Sequence, residues 1–347
     1  MPRASFAFQD ISIAPGSRAV VNVPLPGLYT DTEVHLPVHV VHGRVAGPVL
    51  FVSAAVHGDE INGVEIIRRL LLQPQLKRLR GTLLVAPIVN VFGFHNRSRY
   101  LPDRRDLNRS FPGRETGSLA GRLAHAFLNE VVRRADVGID LHTAAIHREN
   151  FPQIRADIHG EQLKRLAKAF GAPVALHSAP PEGSLRYAAS EFETPILVYE
   201  AGEALRFDEV SIRIGLRGVM NVMRELDMLT LKRKTPKPSA VLRSSTWVRA
   251  PYSGVVRTLV KLGDMVSKGE VLGVVSDPVG LVEYEMLSPY DGIVIGRANL
   301  PLTYEGEAIF HIGRTGQTTA LLEKHLDAMQ DSDQLSMPEL VEEPEIV

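Results

Sequence analysis

The sequence predicts an α/β protein: a mixed central sheet flanked by helices, followed by a small all-β region. Three observations predict it. Four apolar-rich runs of strand length, 49–56, 82–89, 136–142 and 195–202, alternate with segments whose apolar residues recur at steps of three and four. Ahead of them, residues 5–45 hold short β-type stretches broken by Pro and Gly, the texture of antiparallel edge strands. Beyond residue 239 the pattern turns to short β-stretches separated by glycines.

Taken in order, Ala19-Val-Val-Asn-Val23 and the run from Val34 to Val41 supply the edge strands. The run Val49 to Val56 is a buried strand that delivers His57-Gly-Asp-Glu60 to its C-terminal end, where open α/β sheets bind ligands. An imidazole and a carboxylate three residues apart can converge on one divalent cation, zinc in the first place. The same spacing also suits a loop histidine beside a helix-capping acid, so a third ligand has to decide. Val64, Ile67, Leu70 and Leu71 predict a helix from Asn62 to about Leu72, ending before Pro74. A second strand, Thr82 to Val89, leads into a polar loop from Phe92 to Glu115, long enough inside a compact domain to suggest function. Arg97, Arg99, Arg104, Arg105 and Arg109 crowd this loop beside Asp106-Leu-Asn-Arg-Ser-Phe-Pro-Gly113. Arginines there suit recognition of a carboxylate, or else simple solvation.

Ser118 predicts the cap of a helix running to about Arg134, with Leu119, Leu123, Phe127 and Val131 as its apolar stripe. The strand Asp136 to His142 then supplies the missing ligand: Asp140 and His142 share a face at its C-terminal end, so His142 completes a metal triad and Asp140 can orient an imidazole. Glu161 to Phe170 is a short helix stopped by Gly171. Pro195 to Gly202 is again an apolar strand ending in a carboxylate, Glu200, with Glu203 as the competing candidate. A last long helix runs from a cap at Asp208 to about Leu229.

The length of 347 residues favours two domains. The boundaries are a catalytic part at 1–234, a charged, proline-bearing linker at 235–239, the all-β part at 240–314 and an acidic tail at 315–347. A net charge of -1, from 39 basic and 40 acidic residues, gives no surface for nucleic acid or membrane. The absence of cysteine excludes disulfides, a thiol nucleophile and a Cys-ligated metal, so any zinc is held by His, Asp or Glu. With no signal-peptide pattern and no 18-residue apolar run, the expectation is a soluble, cytoplasmic protein.

Four motifs, His57-Gly-Asp-Glu60, Asp106 to Gly113, Asp140-Leu-His142 and Glu200-Ala-Gly202, stand in the order of the succinylglutamate desuccinylase and aspartoacylase family of zinc amidohydrolases, which residues 45–230 resemble. The resemblance implies a zinc carboxypeptidase-like fold with one zinc per chain on His57, Glu60 and His142. It implies that Glu200 is the general base, that Arg99, with Arg97 as the alternative, polarises the scissile carbonyl, that Asn108 and Arg109 hold a substrate carboxylate, and that Arg186 contacts the substrate. The tyrosine that the family's C-terminal domain lends to the site has no direct match, since Phe310 falls near that position, and Tyr304 and Tyr290 are the substitutes on offer. Residues 249–312 resemble a biotinyl or lipoyl carrier domain, but the turn Ser276 to Gly280 has no attachment lysine and Lys268 sits in another loop. The expected role is therefore a lid over the zinc-site edge, or else an oligomer contact. The expected function is deacylation of a small carboxylate-bearing N-acyl amino acid. The alternatives are a zinc carboxypeptidase acting on short peptides or glutamyl tails, and a non-catalytic binding or scaffold protein.

Overall fold

The structure is a computed structural model that describes residues 3–230 and 239–315. The linker and acidic tail expected from the sequence lie outside these residues, apart from Ser239 and Thr315. In chain order the elements are β1 (Phe6–Phe8), β2 (Ile11–Ile13), β3 (Ser17–Leu25), β4 (Val34–His42), β5 (Val45–Ala54), α1 (Asn62–Leu71), β6 (Arg80–Ala86), α2 (Val91–His95), α3 (Leu119–Glu130), β7 (Val137–Ala144) and β8 (Arg148–Ala156). They continue with α4 (Glu161–Phe170), β9 (Val174–His177), α5 (Leu185–Ser190), β10 (Ile196–Glu203), α6 (Glu209–Glu225) and β11 (Ala240–Arg249). The last strands are β12 (Gly254–Thr258), β13 (Met265–Val266), β14 (Val271–Ser276), β15 (Glu283–Leu287), β16 (Gly292–Ala298), β17 (Leu302–Thr303) and β18 (Ala308–Thr315).

One sheet dominates, in the order β13-β16-β18-β11-β9-β8-β10-β7-β5-β6-β4-β3. Its centre is parallel, because β6, β5, β7 and β10 are joined through helical crossovers, while β3 and β4 close one side antiparallel. Both faces of the centre are covered. Alternation along β5 sends Leu50, Val52 and Ala54 into a core with Ile66, Ile67 and Leu70 of α1, Leu166 and Phe170 of α4, and Ile212, Val219 and Met223 of α6. Phe51 points the other way, into a core with Leu84, Leu123 and Phe127. Caps match the sequence reading: the Ser118 side chain accepts from Gly121 N, Asp208 accepts from Val210 N and Ser211 N, and Gly171 ends α4 in the left-handed conformation. Among the described residues no helix is long and apolar enough to cross a membrane.

Three features depart from the sequence reading. The long arginine-bearing loop is partly ordered into α2 and a 3-10 turn at Leu107–Arg109. Strands β8 and β9 lie within the main sheet, although Pro152 argues against a strand there. The β8 to β10 register shifts between Gly202↔Asn150 and Glu200↔Gln153, and the extra residue this gives β8 accommodates the proline. The C-terminal β region is present, with a second sheet β15-β14-β12-β17, but it does not stand apart. Ala240, Val241 and Leu242 of β11 pair with Val174, Ala175 and Leu176 of β9, and β16 pairs with β8 from Gly296↔Asn150 to Ala298↔Arg148. The central sheet thus runs directly into the C-terminal strands.

Candidate active site

His57 and Glu60 occupy the loop between β5 and α1. Gly58 is required there by a close approach: a Cβ on it would lie 2.0 Å from the Gly93 carbonyl carbon in the middle of α2. The backbone passage, not the turn itself, is therefore what needs glycine. Glu60 N donates to His57 O at 3.1 Å, and the two side chains meet at His57 Nδ1 to Glu60 Oε1, 2.7 Å. His142, near the end of β7, brings its Nδ1 to Glu60 Oε2, also at 2.7 Å. All three side chains are buried, and their ligand atoms lie within 4.8 Å of one another.

The far nitrogen of each imidazole faces a carboxylate. His142 Nε2 lies 2.7 Å from Asp140 Oδ2, whose other oxygen accepts from Ser53 Oγ at 2.7 Å. His57 Nε2 lies 3.2 Å from Asp106 Oδ1. Such partners fix the ring orientation and leave the near nitrogen to a metal. Two imidazoles and one carboxylate are an ordinary donor set for zinc, so the residues present fit the ion that the resemblance implies. The three groups are also coupled by charge. Burial raises the Glu60 pKa, but His57 and His142 outweigh it and hold the carboxyl far below its usual range. Burial lowers the His142 pKa, and Asp140 and Glu60 reverse this to well above the ordinary value.

His57, Glu60, Arg99, Asn108, Arg109, His142, Arg186 and Glu200, the residues to which the resemblance assigns a role, line one cavity of about 270 Å³. Glu200 sits directly beside His142 in the β10 to β7 register. Its Oε2 accepts from Asn150 Nδ2 at 2.8 Å and pairs with Arg155 Nη2 at 3.0 Å. The competing Glu203 is engaged elsewhere, accepting from His147 N at 2.9 Å and Asn299 Nδ2 at 3.0 Å. Arg99 donates to Asp106 Oδ2 and Glu60 Oε1 at 3.0 and 3.2 Å, whereas Arg97 is exposed and does not line the cavity. Asn108 Oδ1 accepts from Leu185 N, which leaves its amide nitrogen to the cavity side. Arg109 donates to Asn108 O and, among the described residues, is placed in no ion pair. Arg186 donates to Ser178 O at 2.9 Å and to Ser178 Oγ at 3.2 Å, and burial lowers its pKa despite Glu200 nearby.

The sequence reading missed Asp106 as the partner of His57, together with Arg148, Asn150, Arg155 and Trp247. Asp106 was inside a quoted motif; its pairing with His57 depends on a loop folding back across 49 residues. Trp247 of β11 is the aromatic residue that the C-terminal region contributes to the cavity wall. It stacks on His311 with ring centroids 4.4 Å apart and 8° between planes, and carries Arg148 at 5.1 Å on its ring. Neither tyrosine candidate lines this cavity: the Tyr290 hydroxyl donates to Ile312 O, and Tyr304 is exposed beside another hollow.

Comparison with known proteins identifies the family. The model of the succinylglutamate desuccinylase/aspartoacylase catalytic domain matches residues 46–226, more than half of the chain. The chain belongs to this family. A curated relative, the N-alpha-acetyl-L-2,4-diaminobutyric acid deacetylase of Halomonas elongata, is 29% identical over 278 residues, covering 76% of this chain and 81% of its own. Among solved structures, a succinylglutamate desuccinylase/aspartoacylase from Rhodobacter sphaeroides superimposes with TM-score 0.77 at 26% identity, covering 86% of this chain and 96% of that one. The product-bound ectoine utilization protein EutE (DoeB) of Ruegeria pomeroyi gives 0.78 at 25% identity, covering 86% and 95%.

Proposed function

We propose that the chain is a zinc-dependent amidohydrolase that removes the acyl group from a small N-acyl amino acid, with one zinc per chain on His57, Glu60 and His142 and with Glu200 as general base. The observation that carries this reading is the position of Glu200, in register with His142 and open to the cavity that holds the three metal donors. The family supports it, as do the named activity of the Halomonas elongata relative on an acetylated amino acid and the likeness to an ectoine utilization protein. The cavity volume suits a small substrate better than an extended peptide.

Bound zinc supplies a Lewis acid for the amide carbonyl and makes water acidic enough to serve as nucleophile near neutrality. The chain's own groups do the rest. Asn150 and Arg155 both hold Glu200 Oε2 and so fix the carboxylate, while Oε1 is left to take a proton from the attacking water and return it to the departing amine nitrogen as the C–N bond breaks. Arg99, braced by Asp106 and Glu60, faces negative charge that develops on the carbonyl oxygen; a donor of this kind is worth on the order of 3 kcal/mol. Arg109, with no acidic partner among the described residues, and Asn108 anchor the substrate carboxylate, and Arg186 contacts the substrate from the adjoining wall. We read the C-terminal region as a carrier-like barrel without an attachment lysine, which serves this site by lending Trp247 to its wall.

Glu200→Gln and Glu203→Gln, each zinc-loaded and assayed on N-acetyl amino acids, test the assignment. Glu200→Gln keeps its zinc and loses turnover by about 10² to 10⁴, and Glu203→Gln stays close to wild type. An active Glu200→Gln beside an inactive Glu203→Gln removes Glu200 from the mechanism.

A further inference from the structure

A second group of metal-ligating side chains lies outside the catalytic donors. Asp157, His159 and His177 present ligand atoms within 4.8 Å of one another. The topology brings them together: β8 and β9 run parallel with Ala156 opposite His177, so the residue that follows β8 and the last residue of β9 emerge side by side at one sheet end. The turn after β8 then folds back, with His159 N donating to Asp157 Oδ1 at 3.2 Å, and sets the His159 ring 4.1 Å from that of His177.

The contacts inside the group are poor for a structure held by hydrogen bonds alone. Among the described residues His177 Nδ1 is shut off from solvent yet has no hydrogen-bond partner, and the carboxylate oxygen facing it, Asp157 Oδ1, is 3.6 Å away. That separation is too long for a hydrogen bond but close to the distance between two ligands on one tetrahedral ion, since bonds of about 2.0 to 2.1 Å at the tetrahedral angle span roughly 3.4 Å. Two imidazoles and one carboxylate suit a divalent transition ion better than calcium or magnesium, which favour all-oxygen sites. We propose that Asp157, His159 and His177 form a second, peripheral site for a zinc-type divalent cation, with its fourth position open to water on the exposed His159 side. The site adjoins the catalytic cavity in one respect: Ser178, the residue after His177, receives the Arg186 guanidinium on both its carbonyl and its hydroxyl. An ion here ties β8 to β9 at the point from which Arg186 is held.

The test is equilibrium dialysis of the full-length protein against micromolar free Zn²⁺ at neutral pH, followed by elemental analysis of wild type, His159→Ala and His177→Ala. His159 is exposed, so its replacement leaves the fold intact, and circular dichroism checks both variants. The quantity that matters is the difference between wild type and each variant, one zinc per chain, which does not depend on what His57, Glu60 and His142 hold. Equal zinc content in wild type and both variants at neutral pH overturns the proposal.

Discussion

His311 of β18 is a buried histidine on which acidification acts directly. It is 5% exposed, its Nε2 contacts Ser245 Oγ at 2.8 Å, its Nδ1 has no hydrogen-bond partner among the described residues, and Trp247 lies flat against its ring. Burial first, and the Arg155 charge second, lower its pKa from 6.5 to about 3. In that interval the unfolded chain binds a proton at this residue and the folded chain does not, so stability rises with pH and is lost as the pH falls. At about 1.4 kcal/mol per unit, the loss from this one group between pH 6.5 and pH 5 is roughly 2 kcal/mol. His311→Phe keeps a flat ring against Trp247 and cannot take up the proton. Urea unfolding of wild type and variant across this pH range isolates the term, because every other group titrates in both proteins. The expected outcome is a stability difference that moves in favour of the variant by about 2 kcal/mol on acidification. A difference that stays constant with pH refutes the argument.

Other outcomes follow from the same geometry. Arg109→Lys loses the bidentate fork, and KM for an N-acyl amino acid rises by about 10- to 100-fold with a smaller change in kcat; equal activity of the variant on a carboxylate substrate and on its amide refutes the anchoring role. His142→Ala loses the zinc of the catalytic site, and full occupancy there by elemental analysis removes it as a ligand. Trp247→Ala opens the cavity wall, so the preference for short over longer acyl groups, read as a ratio of kcat/KM, falls by about 10-fold; an unchanged ratio places selectivity elsewhere.

Local pattern was enough to read the parts of the site that sit at the ends of buried strands. His57, Asp140, His142 and Glu200 each follow or end an apolar run, and strand periodicity alone places Asp140 and His142 on one face. The choice of Glu200 over Glu203 is less local, because it rests on Asn150, Arg155 and Asn299 reaching the two carboxylates from other strands. Strand β8 is illegible from the sequence for a specific reason: Pro152 and the charged residues at 148 and 149 carry no strand signal, and the bulge that tolerates the proline exists only once β10 is paired. Trp247 falls within 240–314, which the sequence alone presents as a separate all-β part. Its approach to the cavity depends on β11 adding to β9, a pairing between residues more than sixty positions apart that leaves no periodic trace.

That pairing has a mechanical meaning. A hinged lid needs an interface that opens at little cost, whereas here opening would break the main-chain ladders between β9 and β11 and between β8 and β16, so substrate traffic falls to the loops around the cavity and not to a swing of the C-terminal strands. Cutting the chain at Pro238 would strip β11 from β9 and β16 from β8, leaving bare backbone donors and acceptors of the kind that recruit strands from other molecules. The span 46–226 is therefore a unit of sequence likeness and not a unit that can be lifted out, and a shortened enzyme built on it would aggregate before it revealed anything about selectivity.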